Sequence, residues 1–352
     1  MKLSIIISER NDPFGCLLTV RSVLESLKSC LFSSEIIIVD NSEDPCKRKI
    51  LYDLLAPFTN SEQVKILEQN FTCLFSARDL AVKNSSGEYI LILDSHCLMM
   101  KDSIKKLLSF ADRIDNLGIL FGLMCYSSAH ELDSFCDRDV EKFTGLRLHG
   151  YKTTLPYFKS PLRSMPMVIK RSVWDHIRGY YPLSTHKLCW GGGDFLISFK
   201  PLLFGYSNWS LTTVGVVHLG PFNDGGFFVQ SYIDIVSPSN SRFLGMLLSA
   251  YVIGGEELLS KRFKQLINRI DEKQLSRIRT RVFELGAECR RWLVKHSKYT
   301  YDDIVSQFKT TQKNTNDRIY PQDISLFPKA LPIVRSSKAV PIYENTNAMK
   351  LL

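Results

Sequence analysis

Residues 3 to 96 alternate short β-branched apolar runs with helical stretches, and each run closes on a polar or acidic cluster. Leu3 to Ser8 is the first run, ended by Ser8-Glu9-Arg10-Asn11-Asp12-Pro13, and Leu17, Val20, Val23, Leu24 and Leu27 then recur at helical spacing. A second strand is expected at Glu35 to Val39, closing on Asp40-Asn41-Ser42, with a helix from about Lys47 to Phe58. Val64 to Leu67 reads as a third strand, Leu74 to Lys83 as a helix, and Glu88 to Leu93 as a fourth strand closing on Asp94-Ser95-His96. Runs that are apolar throughout, without polar alternation, suit strands buried on both faces. The pattern therefore predicts an α/β chain with a mostly parallel sheet flanked by helices. Open sheets of this kind bind ligands outside the carboxyl ends of their strands, where Ser8, Glu9, Asp40, Asp94 and His96 all fall.

From Gly118 onward the pattern is looser. Strand-like segments are expected at Leu120 to Tyr126, Met165 to Ile169 and Val214 to Leu219, with short helices at Ser172 to Ile177 and at Asp194 to Leu203, the latter interrupted by Pro201. Residues 256 to 297 read as helical and cationic, and the chain from Thr310 as an extended polar tail. The net charge of +9 is unevenly placed: residues 1 to 240 hold 25 basic and 25 acidic residues, residues 241 to 315 hold 15 and 8, and residues 316 to 352 hold 5 and 3. A neutral body at 1–240, with halves at 1–117 and 118–240, is thus expected to precede a basic helical appendage at 241–315 and a tail at 316–352. Its cations Lys261, Arg262, Lys264, Arg269, Arg277, Arg279, Arg281, Arg290, Arg291, Lys295 and Lys298 offer either phosphate contacts or a merely solvated face, and Leu258, Leu259, Leu266, Ile267 and Ile270 give the same helix a side to bury.

Nine cysteines without a CxxC pair indicate neither a zinc ribbon nor a disulfide framework, and a reducing compartment is expected. The apolar N-terminal run is short for a signal peptide and Leu244 to Ile253 is short for a bilayer span, so no transmembrane segment and a cytoplasmic location are expected. On that expectation the sequons at Asn70, Asn84 and Asn208 are chance matches.

Three clusters carry chemistry. Asp94 and His96, two residues apart after an apolar strand, can turn toward one cation, or they form a turn with Ser95 capping a helix. His218 ends a strand that runs into the glycine-rich segment Gly220 to Gly226, as a ligand or as a satisfied core imidazole. Trp190-Gly191-Gly192-Gly193-Asp194 lets the backbone approach a ligand closely, or is a loop with Asp194 as a helix cap.

Together the runs Leu3 to Asn11, Glu35 to Asn41 and Leu91 to Cys97 resemble the nucleotide-binding half of GT-A glycosyltransferases, nearest to the family 2 type and to the polypeptide N-acetylgalactosaminyltransferases. The latter carry an Asp-Ser-His metal motif, a later Trp-Gly-Gly-Glu and a strand histidine, matched in order here by Asp94-Ser95-His96, Trp190-Gly191-Gly192 and His218. Ser164 to Tyr180 also looks like the family's segment between these motifs, and the likeness covers about residues 2 to 225. It implies a GT-A, Rossmann-like fold and transfer of a sugar from a UDP-sugar to an acceptor hydroxyl. It also implies Mn2+, or Mg2+, held by Asp94, His96 and His218. Ser8, Glu9 and Asp40 would border the uridine, with Asp40 facing the base, and Arg78, Trp190, Gly191 and Gly192 would line the donor; Arg78 also reads as a helix-face ion pair. Residues 220 to 228 would form a flap over the sugar nucleotide. Gly193 departs from the family's Glu. The neighbouring Asp194 corresponds to the general base of family 2 enzymes, so inversion and retention both stay open. The acceptors implied are a bacterial or lipid-linked glycan, or a hydroxymethylated base of phage DNA in the host cytoplasm met by residues 261–298. A non-catalytic nucleic-acid-binding or assembly protein on a GT-A frame is the alternative.

Overall fold

The computed structural model describes residues 1–60, 63–126, 157–158, 165–188, 191–219, 222–223, 226–227, 239–266 and 272–306. Trp190, Arg269, most of the expected flap and the tail at 316–352 lie outside the described residues.

The expected alternation forms β1 (Leu3–Glu9), α1 (Pro13–Leu27), β2 (Ser34–Asp40), α2 (Pro45–Thr59), β3 (Val64–Glu68), α3 (Leu74–Lys83) and β4 (Tyr89–Asp94). Each expected strand gains a residue at its carboxyl end, so Glu9, Asp40 and Asp94 are the last residues of their strands. The isoleucines of β1 and β2 are buried in the core, as strands covered on both faces require. Next come β5 (Cys97–Met99), α4 (Ser103–Ala111), β6 (Leu117–Tyr126), β7 (Tyr157–Phe158), β8 (Met167–Lys170), α5 (Arg171–Ile177), α6 (Gly193–Leu203) and β9 (Ser207–His218). The sheet order is β3-β2-β1-β4-β8-β6-β9-β5, with β7 also on β9. Pairing is parallel across β3, β2, β1 and β4 and between β6 and β9, whereas β8, β5 and β7 run against their neighbours, so the described sheet is mixed but mostly parallel.

The chain moves outward from β1 through β2 to β3 and then crosses back to β4 on the other side of β1. Right-handed crossovers therefore put α1 and α2 on one face and α3 on the other. The switch point between β1 and β4 opens a crevice at Ser8 and Asp94, which are register partners.

Several expectations change. Pro201 does not interrupt α6: the helix continues through it to Leu203, two residues on, although the proline gives up one helix N–H. Strand β9 begins at Ser207 rather than Val214, since pairing with β6 and β7 recruits the polar stretch Ser207-Asn208-Trp209-Ser210. Ser95 caps no helix: α4 begins after Asp102, which adopts a left-handed backbone.

The basic region forms two helices, α7 (Ser239–Leu266) and α8 (Glu272–His296). Leu247, Leu248, Ile253, Leu258 and Leu259 of α7 and Ile278, Val282, Cys289 and Leu293 of α8 join the same buried cluster as the sheet. By length and composition Phe243–Lys264 is long and apolar enough to cross a membrane, beyond the short run read from Leu244 to Ile253, but half of that stretch is buried inside this fold. Gly255, at φ 69° and ψ −157°, breaks α7 into two helical segments. Arg290 Nη1 of α8 donates to the carbonyls of Val252 (3.1 Å) and Ile253 (2.7 Å), satisfying acceptors that the break leaves without helix partners.

Candidate active site

The residues after β4 make a two-residue turn, Ser95-His96, and re-enter the sheet as β5. Because β5 pairs antiparallel with β9, Cys97 lies opposite His218, and Leu219 N–H donates to the His96 carbonyl at 2.9 Å. This pairing brings together residues 122 positions apart: the His96 and His218 rings meet edge to face, centroids 4.6 Å apart. Asp94 Oδ2 lies 3.5 Å from His218 Nε2, and one ligand atom from each of Asp94, His96 and His218 falls within 4.8 Å of the others. A carboxylate and two imidazoles converging at this spacing fit a divalent transition metal such as Mn2+.

The charge state suits that use. Burial opposes ionisation of Asp94, but the His218 hydrogen bond, the Arg78 guanidinium and the two imidazoles outweigh it and hold the carboxyl well below the usual range. Arg78, 1% exposed, donates through Nη2 to Asp94 Oδ1 at 2.8 Å and through Nη1 to the Tyr180 hydroxyl at 2.9 Å. It is therefore a buried bridge and not a helix-face ion pair. Asp194 contributes to the field around both Arg78 and Tyr180, so its carboxylate belongs to the same neighbourhood.

The glycine segment is explained by packing. Gly191 and Gly192 hold φ of 102° and 76°, a region that favours glycine. Gly192, not Asp194, occupies the cap of α6, and Asp194 lies exposed in its first turn, where a helix N-terminus favours an anion. A Cβ on Gly193 would stand 2.0 Å from Phe75 Cε1. A side chain there requires Phe75 to move aside, and the nearest acidic residue stands one position later.

On the other side of the crevice, Glu9 and Asp40 are both fully buried register partners at the ends of β1 and β2. Glu9 accepts from the Ser42 hydroxyl (2.7 Å) and from Asp12 N–H (2.6 Å), while Asp40 accepts from Ser42 N–H (2.9 Å) and has Arg48 Nε at 2.8 Å. Burial, reinforced by the Asp40 and Asp12 carboxylates, raises the Glu9 carboxyl. Ser8 Oγ is buried without a hydrogen-bond partner among the described residues. Of the residues singled out in the sequence, Asp94, His96 and His218 are in mutual reach with Arg78 bonded to Asp94, Ser8, Glu9 and Asp40 line the adjoining strand ends, and Trp190 lies outside the described residues. Tyr180, Ser42, Arg48 and Asp12 were not foreseen. Only Asp12, polar and just before Pro13, carried a legible signal, that of a helix start.

Comparison with known proteins agrees with this fold. Residues 4–166 match the model of glycosyl transferase family 2. The probable N-acetylgalactosaminyltransferase 7 of Caenorhabditis elegans is 24% identical over 219 residues, 56% of this chain and 35% of that protein. The crystal structure of GalNAc-T7 with UDP, GalNAc and Mn2+ superposes with a TM-score of 0.56 at 18% identity, over 80% of this chain and 54% of that one. That of S. aureus TarS residues 1–349 gives 0.50 at 13% identity, over 90% and 93%. The chain thus spans about a third to a half of the N-acetylgalactosaminyltransferase relatives it matches. Residues 4–166 are thus similar to the glycosyl transferase family 2 domain, and the sheet shares the fold of these glycosyltransferase structures.

Proposed function

We propose that this chain is a metal-dependent glycosyltransferase that moves a sugar from a UDP-sugar to an acceptor hydroxyl. The observation that carries the reading is the convergence of Asp94, His96 and His218 at the switch point of a family 2-like domain. These three residues would hold Mn2+ or Mg2+, which as a Lewis acid supplies charge neutralisation for a diphosphate leaving group. Arg78 adds fixed positive charge beside Asp94 and keeps that carboxylate ionised. Ser8, Glu9 and Asp40 border the nucleoside end of the crevice. Asp194, exposed at the start of α6, takes the proton of the acceptor hydroxyl as general base, and inversion is the stereochemistry this role implies. GalNAc-T7 bound to UDP and Mn2+ supports the donor and metal assignments by fold. For the acceptor, a glycan or lipid-linked glycan is preferred over a modified DNA base, because Arg290 is engaged within the fold and Arg281 and Lys261 pair with neighbouring carboxylates.

The test is incubation with a panel of UDP-sugars and Mn2+, offering glycan acceptors or hydroxymethylated DNA, read by mass spectrometry. Sugar should transfer to the glycan, Asp94→Ala should abolish Mn2+-dependent turnover while remaining folded, and Asp194→Asn should lower kcat roughly 100-fold or more. Undiminished turnover in Asp94→Ala would sink the metal assignment.

A further inference from the structure

We infer that Asp12 is a positioning residue for the metal site: it fixes the His96 ring so that Nε2, and not Nδ1, is the ligating nitrogen. This rests on the reading of Asp94, His96 and His218 as metal ligands, and it adds a residue from a different element, the start of α1. Asp12 is 2% exposed and His96 7%, and Asp12 Oδ2 lies 3.1 Å from His96 Nδ1. A carboxylate only accepts, so the proton between them is the imidazole Nδ1–H. That choice of tautomer leaves the lone pair on Nε2. A metal-bound histidine needs its second nitrogen held in this way, because otherwise its ring rotates and its tautomers interchange.

The carboxylate is itself clamped. Its Oδ1 accepts from Gly15 N–H at 3.1 Å as the cap of α1, and the Asp12 backbone N–H donates to Glu9 Oε1 at 2.6 Å. The group folds back over position 15 so closely that a Cβ there would stand 2.3 Å from Asp12 Oδ2. Gly15 thus makes room for the carboxylate. Two separate donors, Gly15 N–H and His96 Nδ1–H, are served by two separate oxygens, which an amide or a hydroxyl cannot do. Serine at this position keeps the helix cap and loses the histidine contact. Because Glu9, at the end of β1, holds the same loop and also accepts from Ser42 beyond β2, the clamp ties the nucleoside end of the crevice to the metal end.

The experiment measures Mn2+ affinity of the full chain with UDP present, from the electron paramagnetic resonance of free Mn2+. Wild type is compared with Asp12→Ser, Gly15→Ala, His96→Ala and the Asp12→Ser/His96→Ala double variant. Asp12→Ser and Gly15→Ala should each weaken Mn2+ about 10- to 100-fold. The metal-free melting temperature of Asp12→Ser should stay near wild type, and the double variant should bind no more weakly than His96→Ala. Gly15→Ala is the discriminating case, since alanine in a helix normally stabilises it while here it displaces the carboxylate. Nitrogen-15 NMR of the metal-free protein should give a single Nδ1–H tautomer for His96 in wild type and a mixture in Asp12→Ser. Wild-type affinity in both Asp12→Ser and Gly15→Ala, or additive losses in the double variant, would overturn the role of Asp12 while leaving the metal site standing. If wild type itself binds no Mn2+, both readings fall.

Discussion

Arg78 is the most buried cation beside the candidate metal ligands, and its position sets what its removal must do. Its two terminal nitrogens serve Asp94 Oδ1 and the Tyr180 hydroxyl, and it is 1% exposed. Replacing it by methionine keeps the volume but leaves Asp94 with a charge its surroundings no longer balance. Breaking a buried pair in this way costs about 3–5 kcal/mol, and the partial exposure of Asp94 places this case at the low end. Chemical denaturation of Arg78→Met should show a loss on the order of 3 kcal/mol, reduced when Mn2+ is added or when Asp94→Asn is introduced with it. An equal loss in both backgrounds would mean that Arg78 acts by packing alone. Residue types at the site were legible because strand ends carry them: Glu9, Asp40 and Asp94 close apolar runs. What Arg78 does was not, because a helix position alone does not tell a salt bridge to solvent from a bridge to a neighbouring strand. Tyr180 was hidden for the same reason, its contact lying 102 residues away along the chain.

Elements were recovered where the hydrophobic period was long and missed where tertiary pairing overrides local preference. The parallel strands β1 to β4 and helices α2 and α3 stand within two residues of the sequence reading, while α1 begins at Pro13, four residues before the first periodic leucine, Leu17. Strand β5 has three residues and no pattern of its own, yet it is what carries His96 to His218. Helix α6 shows how packing constrains an element that the sequence marks only as glycine-rich. Alanine at Gly193 would force Phe75 aside at a predicted cost of about 1–3 kcal/mol, and Phe75→Leu in the same chain should recover most of it. Thermal or urea unfolding checks this, and an unchanged midpoint in Gly193→Ala would show that Phe75 moves freely.

The same helix buries Lys200 completely, its ammonium donating to the carbonyls of Gly179 (2.8 Å) and Tyr181 (2.7 Å). Burial pushes this group down to about 8, against 10.5 for a free lysine, while Cys289 and Asp79 pull the other way. Between these values the unfolded chain binds more protons than the folded one, so stability rises with pH. The gain from pH 8 to 10 amounts to roughly 2 kcal/mol relative to Lys200→Met, in which the titration is absent. Unfolding free energies of the two proteins at pH 8 and pH 10 measure it. Parallel pH slopes would show that Lys200 keeps an ordinary proton affinity.

At the scale of the whole molecule, the basic excess is concentrated in α7, α8 and the residues around them, and the question is whether it is available to an anionic partner. Arg262 is 5% exposed, and Arg290 caps the carbonyls freed by the break at Gly255. Lys261 pairs with Glu257 and Arg281 with Glu284, while Arg279 lies over the rings of Phe263 and Phe283. Arg262 and Arg290 are thus taken up within the fold and Lys261 and Arg281 have surface carboxylate partners, distinctions that a composition count cannot make. Lys264, Lys273, Arg277, Arg291, Lys295 and Lys298 are exposed, but Glu284 and Glu288 are exposed among them on α8, so fewer than six of these charges would meet a phosphate backbone unopposed. A surface that neutralises Z phosphates gives an affinity falling with salt at a slope of about −0.9Z, and six to ten contacts make the dependence steep. Fluorescence anisotropy with a labelled duplex, repeated over a salt series, should therefore give a slope no steeper than about −4 and affinity in the non-specific range of roughly 10⁻⁴ to 10⁻⁶ M at physiological salt. A slope of about −6 or steeper, with tight binding, would return the acceptor to DNA and assign these helices to its backbone.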